Sequence, residues 1–512
     1  MPSLGTLLLG LAAALLLAGA GRAVADDDLF ELTVLPTTGR SVAAKLADFD
    51  GDGRLDLFVG MFVGLPPDDR RLARVHLQRA DGSFPSEPSF VKRLPDWSGV
   101  YDVEDVRADS PGHELVILVP DGVVIESLAS ETAPSWKLTA PGSITMAPSA
   151  DERGLEPFHL VQRHLGPPDD GPWLLVPQIG RTTALAPDGA VRAVIEQPRR
   201  TNYFILPPTG LVSLESDYQI FVDAPKLLLG DIDGDGRNDI ASATRHEIWV
   251  SLQRPDGSFA LEPDQKLALR MVTPRDHVRG SGGVSTAAGD VDGDGRLDLV
   301  VSHVKGGFSD ATTTVFLYLN RTGRWRLDAP DQTIVLSGTL ASNALLDMDR
   351  DSRVELVRLQ FSFSLLEVIE ILVSRTIDLE LSIWRYDGKA GFEAKPWVSR
   401  KVGLPISFET FRTKGFVPNA QVDLNGDGFV DVVMSGSGDE IVFHAGGSAG
   451  PLQQKPVRQK MSTAGMITFG DWSGDGLLDF AIFDPHNYDV PVRLGRNLGR
   501  LPGTRAGMRA PE

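Results

Sequence analysis

Short apolar runs recur along the chain, each bounded by turn residues. In residues 41–93 the order is "SVAAKLAD", an acidic loop, "RLDLFVG", "RLARVHLQR", the dipeptide Asp81-Gly82, and a weaker last run. In residues 226–259 it is "KLLLGD", an acidic loop, "NDIASAT", "EIWVSLQR" and Asp256-Gly257. Runs of this length, rich in β-branched residues and separated by Asp-Gly, predict strands joined by hairpins. An amphipathic pattern, "SLLEVIEILVSR" at 364–375, departs from this. Ser364 with Glu367 makes a capping box, and the pattern predicts a short helix.

The acidic loop sets the period. Its first ligand position falls at Asp48, Asp231, Asp290, Asp347, Asp423 and Asp471. The steps from 231 to 290 and from 290 to 347 are 59 and 57 residues, and the next two are 76 and 48. The 183 residues from 48 to 231 are about three such periods, so two degenerate units belong in the gap. The stretches at 104–119 and 161–178 supply them. Four-stranded units at a fixed spacing predict an all-β β-propeller of eight blades, with seven as the alternative count. The last unit shows only three clear strands, while "LFELTVLP" at 29–36 precedes the first loop. That strand is expected to complete the last blade and leave no open edge. The helix at 364–375 falls between the second and third strands of blade 6. The expected domain spans 26–500, with 501–512 as a disordered tail.

Within each loop, oxygen-bearing residues stand at positions 1, 3, 5 and 9, and glycines at 4 and 6. The sets are Asp48, Asp50, Asp52 and Asp56; Asp231, Asp233, Asp235 and Asp239; Asp290, Asp292, Asp294 and Asp298; Asp423, Asn425, Asp427 and Asp431; and Asp471, Ser473, Asp475 and Asp479. A degenerate copy keeps Asp347, Asp349, Asp351 and Glu355 but has Arg350 and Ser352 in place of the glycines. Alternate carboxylates around a tight turn converge on a point, and glycine permits the backbone angles this needs. Ca²⁺, which takes six to eight oxygens at about 2.3–2.6 Å, suits such a set. Position 7 is Arg54, Arg237, Arg296, Phe429 or Leu477; that indifference to side chain fits a backbone carbonyl ligand. An EF-hand would need Glu at position 12 and a helix, whereas these loops run into strands. Five ions are expected, with the 347–355 loop as the sixth candidate. In the second unit Arg107 replaces a ligand, and no metal is expected there.

This motif, recurring at blade spacing, resembles the FG-GAP/VCBS repeat family, whose best-known members are the integrin α-chain propellers. The resemblance covers almost all of the chain after its leader. It implies a propeller with Ca²⁺ in its loops and no particular enzyme activity.

Charge and composition narrow the reading. The formal net charge of −19 argues against nucleic acid, whose phosphates need a basic face. The first 25 residues have an apolar core and end in Ala23-Val24-Ala25, a pattern for a cleaved signal peptide. Export to the periplasm or outside the cell is expected, with Asp26 as the new N-terminus. No later segment is apolar enough to span a membrane, and the chain has no cysteine. "GGSAG" at 446–450 matches a nucleophile-elbow pattern around Ser448, but "PLQQKP" follows where a helix is required.

Two function classes remain: a non-catalytic binding or adhesion propeller for a protein or glycan, and a carbohydrate-active enzyme on the same scaffold. The face opposite the acidic loops is expected to carry long irregular segments at 61–71, 136–156, 198–222, 272–284, 302–312 and 399–417. Their basic and aromatic residues, Arg70, Arg71, Arg199, Arg200, Tyr203, Arg275, His277, Arg279, Lys305 and Phe308, form the expected partner surface.

Overall fold

The second strand of each blade explains the architecture. In Asp56–Val63, Leu57, Val59 and Met61 join the apolar cluster shared with the last blade. Phe58 and Phe62 join the cluster shared with the next one. A strand buried on both faces reads as an unbroken apolar run, and such strands must be sandwiched between neighbouring sheets. The same division separates Leu299 and Val301 from Val300 in Asp298–Lys305.

The protein, seen here as a computed structural model, is described from residue 28 to 505. Stretches at 66–67, 97, 145–154, 168–169, 200, 207–216, 223, 279–281, 307–310, 362–370, 372–373, 390, 408–411, 437 and 453 are excepted. It is an all-β propeller of eight blades with four antiparallel strands each; Glu156–Pro157 adds a short parallel strand to blade 2, and Arg412–Thr413 a short antiparallel one to blade 6. Blade 1 comprises Arg40–Ala47, Asp56–Val63, Arg70–His76 and Phe90–Arg93. Blades 2 to 7 begin at Val100, Val161, Lys226, Val284, Thr339 and Asn419. Blade 8 takes Met466–Gly470, Asp479–Phe483 and Val492–Asn497 from the end of the chain. Its outer strand is Phe30–Leu35, paired antiparallel from Phe30↔Asn497 to Leu35↔Val492. The ring therefore closes as the sequence predicts. Gln459 of blade 7 secures the joint. Its Oε1 accepts from the N–H groups of Leu29 and Phe30 at 2.8 Å, and its Nε2 donates to Phe30 O at 2.9 Å.

Apolar clusters fill the wedges between neighbouring blades, including the one between blades 8 and 1. The two degenerate units are full blades, because their second strands Glu114–Val119 and Trp173–Gln178 keep the doubly buried pattern. Among the described residues no helix is long and apolar enough to cross a membrane.

Several local expectations need correction. Residues 198–222 contain a hairpin, Thr201–Leu206 paired with Asp217–Val222, rather than irregular chain. Much of 61–71, 302–312 and 399–417 extends the strands of blades 1, 5 and 6. A five-residue helix, Pro274–Val278, lies within 272–284. Of the helix expected at 364–375, residues 364–370, 372 and 373 lie outside the described residues; Ile371 and Ser374 are helical, and Arg375 N–H donates to Ile371 O at 2.9 Å. The expected disordered tail is anchored at its start: Leu501 and Thr504 are buried, and Arg505 N–H donates to Asn425 O.

Candidate metal centres

The loops all join first to second strands and so share one face of the ring. In each intact copy the glycines at positions 4 and 6 have positive φ, from +67° to +104°. This turns their N–H groups inward. Asp48 accepts from Gly51 and Gly53 at 2.7 and 2.9 Å, Asp231 from Gly234 and Gly236 at 2.6 and 2.7 Å, Asp290 from Gly293 and Gly295 at 2.7 and 2.8 Å, and Asp471 from Gly474 and Gly476 at 2.8 Å. The position 7 N–H binds the position 5 carboxylate: Arg54 to Asp52, Arg237 to Asp235, Arg296 to Asp294, Phe429 to Asp427 and Leu477 to Asp475.

These bonds gather the carboxylates. Oxygens of Asp48, Asp50 and Asp56 lie within 4.8 Å of one another, as do those of Asp231, Asp233 and Asp239, of Asp290, Asp292 and Asp294, and of Asp347, Asp349 and Asp351. Asp52, Asp235 and Asp294 also form ion pairs with Arg54, Arg237 and Arg296. Buried Oδ1 atoms of Asp292, Asp347, Asp349 and Asp423 have no hydrogen-bond partner. Orphaned anionic oxygens converging in a loop fit a divalent cation. In blades 7 and 8, Asn425 and Ser473 dilute the charge, leaving Asp423, Asp427 and Asp431, and Asp471, Asp475 and Asp479.

The blade 6 loop keeps the shape without glycine. Arg350 and Ser352 take φ of +61° and +71°, a conformation that costs a side-chain-bearing residue about 1–2 kcal/mol. Ser352 N–H still reaches Asp347, at 3.1 Å. In blade 2 the guanidinium of Arg107 holds Asp109 through two bonds of 2.8 Å.

Position 9 opens the second strand and is buried in every copy: Asp56, Asp239, Asp298, Glu355, Asp431 and Asp479 are at most 2% exposed. Burial raises their pKa, to about 6 for Asp56, Asp239 and Asp479, about 7 for Asp298 and Asp431, and about 8 for Glu355. One oxygen accepts from the position 2 N–H, as Asp56 does from Phe49 at 3.0 Å. The other, in five of the copies, accepts from a backbone N–H at or just beyond the end of the third strand: Gln78, Gln253, Asn320, Gly446 and Asn497 at 2.7–2.8 Å. Within the GGSAG stretch, Gly446 thus serves the blade 7 loop.

Sequence reasoning missed a second role of these residues. The side-chain amide of each Gln or Asn donates to the loop of the preceding blade. Gln78 reaches Trp472 O at 2.7 Å, Asn320 reaches Ile232 O at 2.6 Å, Asn497 reaches Leu424 O at 2.7 Å, and Gln253 reaches Leu165 O. One amide residue therefore clasps two loops. An Asn or Gln 14–22 residues after four of the six position 9 acids was the available signal.

The FG-GAP-like repeat pattern matches residues 231–301 and 423–482, which hold four of these loops. The chain carries FG-GAP-like repeats in these two regions. No curated protein matches it. Among solved structures, this propeller is similar to an Agrocybe aegerita lectin, solved for its recognition of non-reducing terminal N-acetylglucosamine, at 13% identity. That match covers 72% of this chain and 80% of the lectin, with a TM-score of 0.36. The Dos1 propeller matches at 11% identity over 78% of this chain and 91% of its own, with a TM-score of 0.38. The V. cholerae biofilm matrix protein Bap1 matches at 10% identity over 92% and 89%, with a TM-score of 0.34.

The expected partner surface on the opposite face is only partly assembled. Arg71 is buried, with its guanidinium 5.3 Å from the Phe62 ring, and is unavailable to a partner. Arg200, Arg279 and Phe308 lie outside the described residues.

Proposed function

We propose that this FG-GAP propeller is exported, binds Ca²⁺ in its loops, and serves as a non-catalytic binding or adhesion module for a protein or glycan. The supporting observation is the repeated convergence of carboxylate oxygens within 4.8 Å in loops on one face. The ligands of each ion are the position 1, 3 and 5 side chains, the position 7 carbonyl and the position 9 carboxylate. Calorimetric titration of metal-stripped protein should return five ions, or six if the 347–355 loop binds. Asp233→Ala should remove one ion and leave the rest, because blades contact mainly their neighbours; loss of every ion would contradict independent loops. Capture on a glycan and protein array, with Ca²⁺ and with EGTA, tests the module.

The buried position 9 acids give a pH signature. Their raised pKa values mean that the folded, metal-free chain holds protons that the unfolded chain releases near pH 4. This stabilisation is complete below about pH 4 and lost as pH rises through about 6–8. Metal-free protein should therefore become less stable from pH 5 to 8, and Ca²⁺ uptake at pH 6 should release protons. A pH-stat that registers no release at pH 6 would exclude the buried acids as ligands.

A further inference from the structure

Arg358 stands where most blades place an apolar side chain. It is the fourth residue of Glu355–Phe361, the second strand of blade 6. The matching places in blades 1, 5, 7 and 8 hold Val59, Val301, Met434 and Ile482. Leu356, two residues earlier and so on the same face, packs into the wedge shared with Val300 of blade 5 and with Trp384. Arg358 therefore enters that wedge, and it is 0% exposed. Its guanidinium carbon lies 5.9 Å from the centre of the Trp384 ring.

Nε, Nη1 and Nη2 of Arg358 are all buried and without a hydrogen-bond partner. A guanidinium carries five N–H donors and keeps its proton in a protein. A buried charge with no partner is strongly destabilising. Glu380 acts on this charge without bonding it, because its carboxylate is engaged elsewhere. Its Oε1 accepts from Ser399 Oγ at 2.6 Å and its Oε2 from Gln360 Nε2 at 3.1 Å.

The neighbouring amide is also unfinished. Asn343 is the cross-strand partner of Arg358. Its Nδ2 donates to Ser302 Oγ of blade 5 at 3.0 Å, while its buried Oδ1 has no partner. An amide turned end for end keeps its shape. Asn343 would then accept from the Ser302 hydroxyl and present N–H groups where Oδ1 now stands. Accepting from Arg358 instead, Oδ1 would serve one donor of five and bring no charge. Several donors, one fixed positive charge and apolar walls match a compact monovalent anion. Water would bring acceptors but no charge, and a polyatomic acid needs more room than a packed wedge gives.

We propose that the wedge between blades 5 and 6 binds chloride, held by the guanidinium of Arg358 with the amide of Asn343 as a second donor. Through Asn343 and Ser302 the ion joins the two blades. This site is separate from the acidic loops and does not depend on their metals.

The test is diffraction from crystals of the full chain grown in sodium bromide, whose anomalous signal marks the halide. A bromide peak in hydrogen-bonding contact with the Arg358 guanidinium is expected. In solution, chloride replaces gluconate at constant ionic strength, with calcium gluconate throughout. Melting should rise by about 1–3 °C between about 1 and 100 mM chloride, as for an ion bound with Kd near 10 mM. Arg358→Met should lose both the peak and the chloride dependence. In gluconate it should melt no lower than the unaltered chain, since an apolar side chain of similar length removes an unpaired buried charge. Circular dichroism checks that this variant folds; if it does not, the bromide map and chloride series of the unaltered chain decide alone. Water or the Glu380 carboxylate at the guanidinium in place of bromide overturns the proposal. So does melting indifferent to chloride, or a chloride dependence that persists in folded Arg358→Met.

Discussion

EGTA added to the calcium-loaded protein is expected to lower its stability by about 2–7 kcal/mol. Sites of the extracellular kind have Kd near 10⁻⁴–10⁻³ M. At about 1 mM Ca²⁺ each then contributes roughly 0.4–1.4 kcal/mol by mass action, and five are summed here. For a domain of this size the melting temperature should fall by roughly 2–7 °C. The reason is electrostatic: without a cation, carboxylates within 4.8 Å of one another are countered mainly by backbone N–H groups, with Arg296 beside Asp294. A melting curve indifferent to chelation would leave the loops as acidic turns.

Removing the closing strand should cost still more. Deleting residues 26–36 exposes the edge of Val492–Asn497 and removes Phe30 and Leu35, which are 2% and 1% exposed. Two buried side chains of this kind contribute about 3–6 kcal/mol, before the paired backbone is counted. That rivals the net stability of many domains, about 5–15 kcal/mol. A bared strand edge also templates association. The truncated chain should unfold at lower urea and aggregate in sedimentation. Phe30→Ala, which keeps the strand, should cost about 3–5 kcal/mol. A truncated chain that stays monomeric with an unchanged urea midpoint would mean that the ring closes otherwise.

The ring was legible because its signals are local and repeated. Asp-Gly turns, doubly buried second strands and the Asp/Gly loop recur at a fixed spacing, and spacing alone located blades 2 and 3. The closing strand could be read because blade 8 lacks a fourth run. What escaped is set across the sequence. Gln78 bonds Trp472, 394 residues away, and no local pattern announces such a pair. The hairpin at 201–222 was taken as irregular because it belongs to no blade and breaks the period. Arg350 and Ser352 left the 347–355 loop as only a sixth candidate, yet both residues take the positive φ that glycine adopts freely, and the loop keeps its shape. Arg71 looked like surface charge, but its stem and guanidinium lie over Phe62.

The amide clasps all point the same way, from each blade back to the one before it. This gives the ring a direction. Loosening the blade 4 loop releases Ile232 O, and with it the side chain of Asn320, whose own N–H steadies Asp298 in blade 5. Loosening the blade 5 loop frees the same Asn320 from Asp298 and so slackens its hold on Ile232 O of blade 4. The coupling is reciprocal, and a local disturbance of either loop reaches the other. The same relay runs from the blade 7 loop through Asn497 to blade 8, and through Gln78 to blade 1. At blade 7 the clasping position is Gly446, which has no side chain to pass anything on. Hydrogen exchange after a single loop substitution should spread to the clasped neighbours, within blades 3 to 5 or within blades 7, 8 and 1, and less across the boundaries that no amide clasps.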